Sequence, residues 1–272
     1  MTKLDTLRDG DGKHFCRCLD LGRDEQRDQQ SGQMKKFNYI VMSLVGRGLD
    51  GVVKEAGGRL SLGSAVGVSI QMLAALRGLH TVGYLHRDIK PGNSTIGRPE
   101  SNEIRLLYLI DFGMARKYIK DDGSQHRPRA ATNFRGSPRY AAISAHLGRE
   151  YSRKDDIESW FYCMIELFKG ALPWSNVGEM KAVKRQKKQP EAVRRQAIAD
   201  LLSGCPSEFG QVLKYIDDMK YTDKPDYDWI IATLRSSLSN AGVQEFPYDW
   251  ETGKRNAAPG AGGGGGGDSY FN

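Results

Sequence analysis

The stretch that decides the fold is His86-Arg87-Asp88-Ile89-Lys90-Pro91-Gly92-Asn93, followed 18 residues after Asn93 by Asp111-Phe112-Gly113. Phosphoryl transfer needs a carboxylate to orient an attacking hydroxyl and oxygen ligands for a divalent cation on the phosphates. It also needs a cation to offset developing charge. Asp88 can be the first, Asn93 and Asp111 the second, and Lys90 the third. Gly113 lets the backbone turn away directly after Asp111.

Working outward, residues 64–80 carry Val66, Ile70 and Leu73 at helical spacing, with Met72, Leu76 and Leu79 beside them and Ser64 as N-cap. This helix would deliver the loop bearing Asp88. Downstream, IRLLYLI (104–110) reads as a short buried strand ending at Asp111. Residues 153–169 hold Ile157, Trp160, Phe161, Met164, Ile165, Leu167 and Phe168, apolar almost all round, which predicts a central buried helix. Further helices are expected near 176–188, 190–203, 207–219 and 226–240. Upstream, 14–23 and 37–45 read as strands joined by a polar hairpin loop over 24–36. Strands first and helices after make an α+β chain.

The 272 residues suit one large or two small domains, and 39% hydrophobic with 27% charged residues is a globular balance. No uninterrupted run of eighteen apolar residues and no apolar leader occur, so no transmembrane segment is expected and the chain reads as cytoplasmic or nuclear. Cys16, Cys18, Cys163 and Cys205 lack zinc-site spacing and read as reduced thiols. The net charge of +7 gathers in 127–154 and 181–195, which favours anionic partners. A solvated helix face is the plainer reading of the second stretch, and nucleic acid is not specifically indicated.

HRDIKPGN with DFG matches the protein-kinase signature set. FNYIVMSLVGRGL (37–49), GYLHRDIKPGN (83–93), YLIDFGMARKY (108–118), FRGSPRYAAISAH (134–146) and LPW (172–174) resemble the casein kinase 1 superfamily, most of all its tau-tubulin kinase branch. The resemblance runs from about residue 14 to about residue 251. It implies a protein-kinase-like fold, mainly the helical C-terminal lobe with a two-stranded remnant of the N-terminal lobe. The implied activity is transfer of the ATP γ-phosphate to a protein serine or threonine, with Mg²⁺.

By resemblance, Asp88 is the catalytic base, Lys90 contacts phosphate and hydroxyl, and Asn93 and Asp111 are the metal ligands. Arg87 lends structural support, and Asp156 braces the catalytic-loop backbone. Met42 falls at the gatekeeper, Ser43-Leu44-Val45 at the hinge that bonds adenine, and Thr95 at the floor of the adenine pocket. Ser137 stands where the family usually has a threonine near the catalytic aspartate. Ala142-Ile143-Ser144 replaces the usual APE ending, which argues against an ordinary activation-loop phosphoswitch. Arg139, Arg149 and Lys154 are candidates for a pocket that takes phosphate on an acidic or primed protein substrate.

Composition marks a polar, disordered start (1–13) and a glycine-rich, disordered tail (252–272), and the resemblance divides the rest into an N-lobe remnant with hinge (14–45) and a C-lobe (46–251). A glycine loop over the phosphates, a strand lysine and its helix glutamate are expected of a complete kinase and are not found. Gly46-Arg47-Gly48-Leu49-Asp50-Gly51-Val52-Val53 fits a glycine-loop pattern but lies after the hinge, with no strand lysine following. Two readings therefore stay open: a kinase of casein kinase 1 type, and a non-catalytic, pseudokinase-like module holding acidic or phosphorylated partners. A small-molecule phosphotransferase is more distant. An exposed apolar patch on the two strands and around Met42 is expected to drive association.

Overall fold

The structure is a computed structural model that describes residues 10–175 and 191–256. The helix expected over 176–188, most of the basic stretch 181–195 and the glycine run of the tail lie outside the described residues.

Strands β1 (Cys18–Arg27) and β2 (Met34–Met42) form an antiparallel hairpin in which Leu21 faces Ile40 and Asp24 faces Phe37. The pairing runs further than the sequence pattern suggested. What read as a loop over 24–36 is strand at both ends, closed by a turn at 28–33 whose N–H groups at Gln30 and Ser31 donate to the Asp28 carboxylate. The start of the expected first strand, His14 and Phe15, turns inward instead. His14 ends a short 3₁₀ helix (Asp11–His14) and contacts the Leu107 carbonyl through Nδ1 at 2.8 Å, while Phe15 joins the core.

The chain then crosses to α1 (Leu49–Glu55), a helix inside the segment that fits the glycine-loop pattern. A side chain at Gly46 would sit 2.6 Å from the Gly97 carbonyl, so only glycine lets this crossing pass so close. Helix α2 (Leu62–Thr81) starts at an N-cap three residues earlier than expected, Ser61 rather than Ser64. Ser64 instead accepts from the Asp249 N–H, and Asp249 accepts from the Ser61 N–H. By length and composition α2 could cross a membrane, yet 83% of that window is buried inside this fold.

Three short strands follow the hairpin beyond those the pattern showed. β3 (Tyr84–Leu85) pairs with β6 (Arg116–Lys117), and β4 (Ser94–Ile96) pairs with β5 (Leu107–Leu109). These ladders pin the two ends of the loops that carry Asp88, Asn93 and Asp111. After them come α3 (Ile143–His146), α4 (Arg153–Lys169), α5 (Glu191–Leu202), α6 (Ser207–Asp218), α7 (Tyr227–Asn240) and α8 (Asp249–Thr252).

Helix α4 is the axis of the core, as its all-round apolar pattern required. Ile157, Trp160, Phe161, Cys163, Met164 and Ile165 are wholly buried, and the Trp160 indole N–H donates to the Ser69 carbonyl of α2 at 2.8 Å. Burial of each such side chain is worth about 1.5–3 kcal/mol. All four cysteines are free. The tail expected from residue 252 begins later, since the Asn256 N–H donates to the Ala56 carbonyl and its amide to Asp249.

The hairpin is the exception to this packing. Leu19, Leu21, Met34, Phe37, Ile40, Val41, Met42 and Leu44 are all exposed.

Candidate active site

Helix α4 positions the catalytic loop through its second residue pair. Ser152 and Asp155 cap the helix reciprocally, which fixes the first turn and places Asp156 inward and fully buried. The two Asp156 oxygens accept from the consecutive backbone N–H groups of His86 and Arg87, each at 2.8 Å. Arg87 is left-handed (φ 69°), and its Nε donates to the Met114 carbonyl at 2.7 Å, tying this loop to the segment after Phe112. The His86 ring packs on Phe112 at 5.4 Å between centroids, and Phe112 packs on Phe15 at 5.9 Å. Burial holds the His86 imidazole below its ordinary pKa, hence neutral.

Asp88 projects from this braced loop. One of its oxygens accepts from Lys90 Nζ at 2.8 Å and Asn93 Nδ2 at 3.3 Å, and the other accepts from the Ser137 N–H at 2.8 Å. Partial burial pushes the Asp88 carboxyl up, but the hydrogen bonds from Lys90 and Ser137 outweigh it and hold the pKa below the ordinary value. Asp88 is therefore an ionised acceptor at neutral pH. Ser137 was expected for its hydroxyl, and its main-chain N–H proves equally engaged. Sequence reasoning missed the residue that makes this possible. Gly136 has φ 92°, and a Cβ there would sit 2.5 Å from the Arg87 carbonyl. A glycine directly before Ser137 was the available signal.

Asn93 and Asp111 are brought together by the β4–β5 ladder, because the Ile110 N–H donates to the Asn93 carbonyl at 2.9 Å. Asn93 Nδ2 also donates to the Asp88 carbonyl at 2.9 Å, so its amide oxygen is the atom left for a ligand. Asp111 is left-handed (φ 63°) and exposed, with one oxygen accepting from the Gly113 N–H. One carboxylate and one amide oxygen are hard donors that fit Mg²⁺, which takes few protein ligands and fills its shell with phosphate and water. Among the described residues no group of three or more His, Cys, Asp or Glu is placed to hold a metal.

The hinge residues line up along the exit from β2. Ser43 is fastened to the hairpin, its N–H donating to the Arg17 carbonyl and its hydroxyl accepting from the Arg17 N–H. Val45 is half-buried and Met42 exposed. Thr95 is buried on β4, bridged to Gly48, and its hydroxyl has no partner among the described residues, as is true of Ser94. Where the resemblance puts Thr95 at the adenine floor, its unpartnered hydroxyl is poorer for an adenine ring than an apolar side chain.

The sequence matches the family model of the protein kinase domain over residues 14–225. The chain belongs to the protein kinase family. It is similar to a probable serine/threonine-protein kinase of Dictyostelium discoideum, 35% identical over 84% of this chain and 45% of that protein. Casein kinase I homolog 2 of Saccharomyces cerevisiae is 34% identical over 80% of the chain and 40% of that protein. The serine/threonine-protein kinase spe-6 of Caenorhabditis elegans is 34% identical over 83% and 60%. Among protein kinases the chain is thus casein kinase 1-like. It spans about half the length of the relatives it matches.

The kinase's basic residues do not form the single pocket that Arg139, Arg149 and Lys154 suggested. Arg139 pairs with Glu166 at 3.2 Å, and Lys154 Nζ donates to the Asp217 and Met219 carbonyls at 3.2 and 3.0 Å. Lys154 thus closes the end of α6, although it still borders a cavity shared with Arg129 and Arg149. Arg149 reaches a second, smaller cavity with Arg87, Arg129 and Arg135. Which arginines share a cavity depends on loop placement, so no linear pattern could have chosen them.

Proposed function

We propose that this site transfers the γ-phosphoryl group of ATP to a serine or threonine hydroxyl of a protein. One observation carries the reading: the Asp88 carboxylate, held ionised, shares hydrogen bonds with Lys90, Asn93 and the Ser137 N–H. An incoming hydroxyl donates to Asp88 and is thereby aimed at the phosphorus, with the proton passing to that carboxylate. Lys90 supplies positive charge beside the attacking oxygen. Asn93 and Asp111 would hold Mg²⁺, which when bound neutralises the phosphate charge. Lysine two positions after Asp88 supports serine/threonine rather than tyrosine as acceptor. Placement in the tau-tubulin kinase branch rests on the five quoted segments. An acidic or phosphate-primed substrate is supported by the excess of arginine around 127–149.

The test is phosphate transfer by the purified 272-residue chain from Mg·ATP to casein. Transfer abolished in Asp88→Asn supports the reading, and transfer unchanged in that variant overturns it. A second reading is favoured by the buried Thr95 hydroxyl, which has no partner among the described residues at the place that resemblance gives to the adenine floor. On that reading the chain is a non-catalytic module that holds acidic or phosphorylated partners through its arginines. A folded chain that binds no Mg·ATP in calorimetry, yet binds a phosphopeptide, would establish it.

A further inference from the structure

Among the described residues β1 and β2 pair only with each other, and no residue of either strand is buried. An isolated two-stranded hairpin is marginal in water, and three or more strands with an apolar face are needed to hold one. This hairpin exposes Leu21 and Ile40 on one face, with Phe37 and Val41 on the other. Each strand also presents one edge of backbone N–H and C=O groups with no strand beside it.

The two edges differ in charge. β1 carries Asp20, Arg23, Asp24, Glu25 and Arg27, and a bulge lies between Cys18 and Asp20. The charges of β2 are Lys35 and Lys36, both at its start. Each is already neutralised within its own hairpin, Lys36 by Glu25 at 3.0 Å and Lys35 by Asp28. Bulges, prolines and charged side chains are what blunt an open edge, and β2 has none of them from Phe37 to Met42.

We propose that the β2 edge pairs antiparallel with the β2 edge of a second copy, making a four-stranded sheet about a two-fold axis at Asn38. Length and charge fix that register. Centring on Asn38 overlaps all nine residues from Met34 to Met42, and any other centre shortens the ladder. Phe37 then faces the partner's Tyr39, and Met34 faces the partner's Met42. Lys35 and Lys36 face the partner's Val41 and Ile40, so no like charges meet. The aromatic pair occurs twice on one face, which is a favourable cross-strand contact.

The rival pairings fare worse. Two β1 strands overlapped along their full length set Asp20 against Glu25 twice, and like charges directly opposite destabilise a sheet. Pairing β1 with the next copy's β2 is head-to-tail and leaves an edge open at each end, so it does not close. The antiparallel β2 pairing has a consequence at the candidate site. Because Met42 meets the partner's Met34, the partner's hairpin turn comes to lie beside Ser43 of the hinge. No catalysis is needed for this pairing, so it stands apart from the kinase reading.

The experiment uses the full 272-residue chain. Light scattering over a dilution series is expected to show a dimer that dissociates to monomer. The two-fold axis sets Asn38 against its own copy, with Cα atoms about 4.5–5.5 Å apart, a span that a disulfide bridges. On non-reducing gels Asn38→Cys should therefore form covalent dimer at least about tenfold faster than Asp24→Cys on β1. The wild-type chain supplies the background from its own cysteines.

A pair of substitutions at Val41 tests the register by sign. Within its own hairpin position 41 faces Asp20, and across the axis it faces the partner's Lys35. Val41→Lys suits the hairpin and opposes the dimer, whereas Val41→Glu does the reverse. Val41→Glu is expected to dimerise at least about tenfold more tightly than Val41→Lys. A chain that stays monomeric at every concentration overturns the proposal, and so does open-ended growth. A dimer in which Asn38→Cys links no faster than Asp24→Cys, or in which Val41→Glu is not the tighter variant, uses another surface and overturns it as well. None of these measurements reads phosphate transfer, so failure here is distinguishable from failure of the kinase reading.

Discussion

Asp156 and Arg87 are joined by a 2.8 Å hydrogen bond from the Arg87 backbone N–H, and the other Asp156 oxygen takes the His86 N–H at the same distance. A residue at the start of the central helix thus sets the path of the loop that carries the Asp88 carboxylate. The same oxygen that binds His86 also contacts His80 Nε2 at 2.8 Å.

Replacing this carboxylate strands buried donors. Asp156→Ala leaves two main-chain N–H groups without acceptors at a fully buried site, and each costs about 1–3 kcal/mol. A loss of roughly 2–5 kcal/mol in urea unfolding is expected, with Asp156→Asn losing less because one acceptor remains. A loss below about 0.5 kcal/mol for the alanine variant would show that Asp156 does not brace the loop.

Gly136→Ala tests the hand-off from the activation segment to Asp88. The added carbon meets backbone, not a movable side chain, and φ 92° is strained for alanine. Displacing the Ser137 N–H removes one of the bonds that depress the Asp88 pKa, so carbon-13 NMR of the Asp88 carboxyl should show an upward shift. An unmoved titration would mean that the N–H is not a determinant.

Thr95→Val removes a buried hydroxyl that lacks a partner among the described residues. The shapes nearly match, so a gain of about 1 kcal/mol is expected from chemical denaturation. If Mg·ATP binds this site, it should bind the variant more tightly as well. A destabilised variant would reveal that the hydroxyl is satisfied in solution.

Acid and base should act on different groups. His14 and His86 are lowered by burial, so the folded chain binds fewer protons than the unfolded chain as pH falls below about 6.5, and stability drops there. Asp155 behaves oppositely. Burial first, then the neighbouring Glu158 carboxylate, raise it to about 7. Its folded pKa exceeds its unfolded value, so its stabilising contribution is present at pH 3 and lost as pH rises through about 7. Ser152, Ser144 and Tyr151 also face it. Asp155→Asn is expected to raise the melting temperature at pH 8 and leave it nearly unchanged at pH 4. Equal effects at both pH values would contradict the raised pKa.

The exposed hairpin predicts association of this chain. Leu21 and Ile40 are cross-strand partners, both more than 60% exposed. Leu21→Lys with Ile40→Glu should shift light-scattering mass toward monomer. A wild-type chain that is already a monodisperse monomer would refute this.

The long helices α2 and α4 and the loop that gathers Asp88, Lys90 and Asn93 were legible in the linear pattern for a local reason. Asp88, Lys90 and Asn93 lie within six residues, so one loop gathers them whatever surrounds it, and the apolar periodicity of α2 and α4 announces which faces meet. Element edges were less legible, because a hairpin turn such as 28–33 is set by pairing that propensity does not record. Resemblance alone assigns Met42, Ser43, Val45 and Thr95 to an adenine pocket, and it says nothing of the burial of Thr95 without a partner among the described residues.

By itself the sequence determined the class of fold, the central helix and the gathering of an acid, a lysine and an amide on one short loop. Tertiary structure alone decided that Ser137 hands its N–H to a carboxylate 49 residues away, that Gly136 must be bare, and that Arg139 is spent on Glu166 while Arg149 is not. Contacts between distant residues depend on how loops are laid across the finished core, and that path is fixed only once the core has packed.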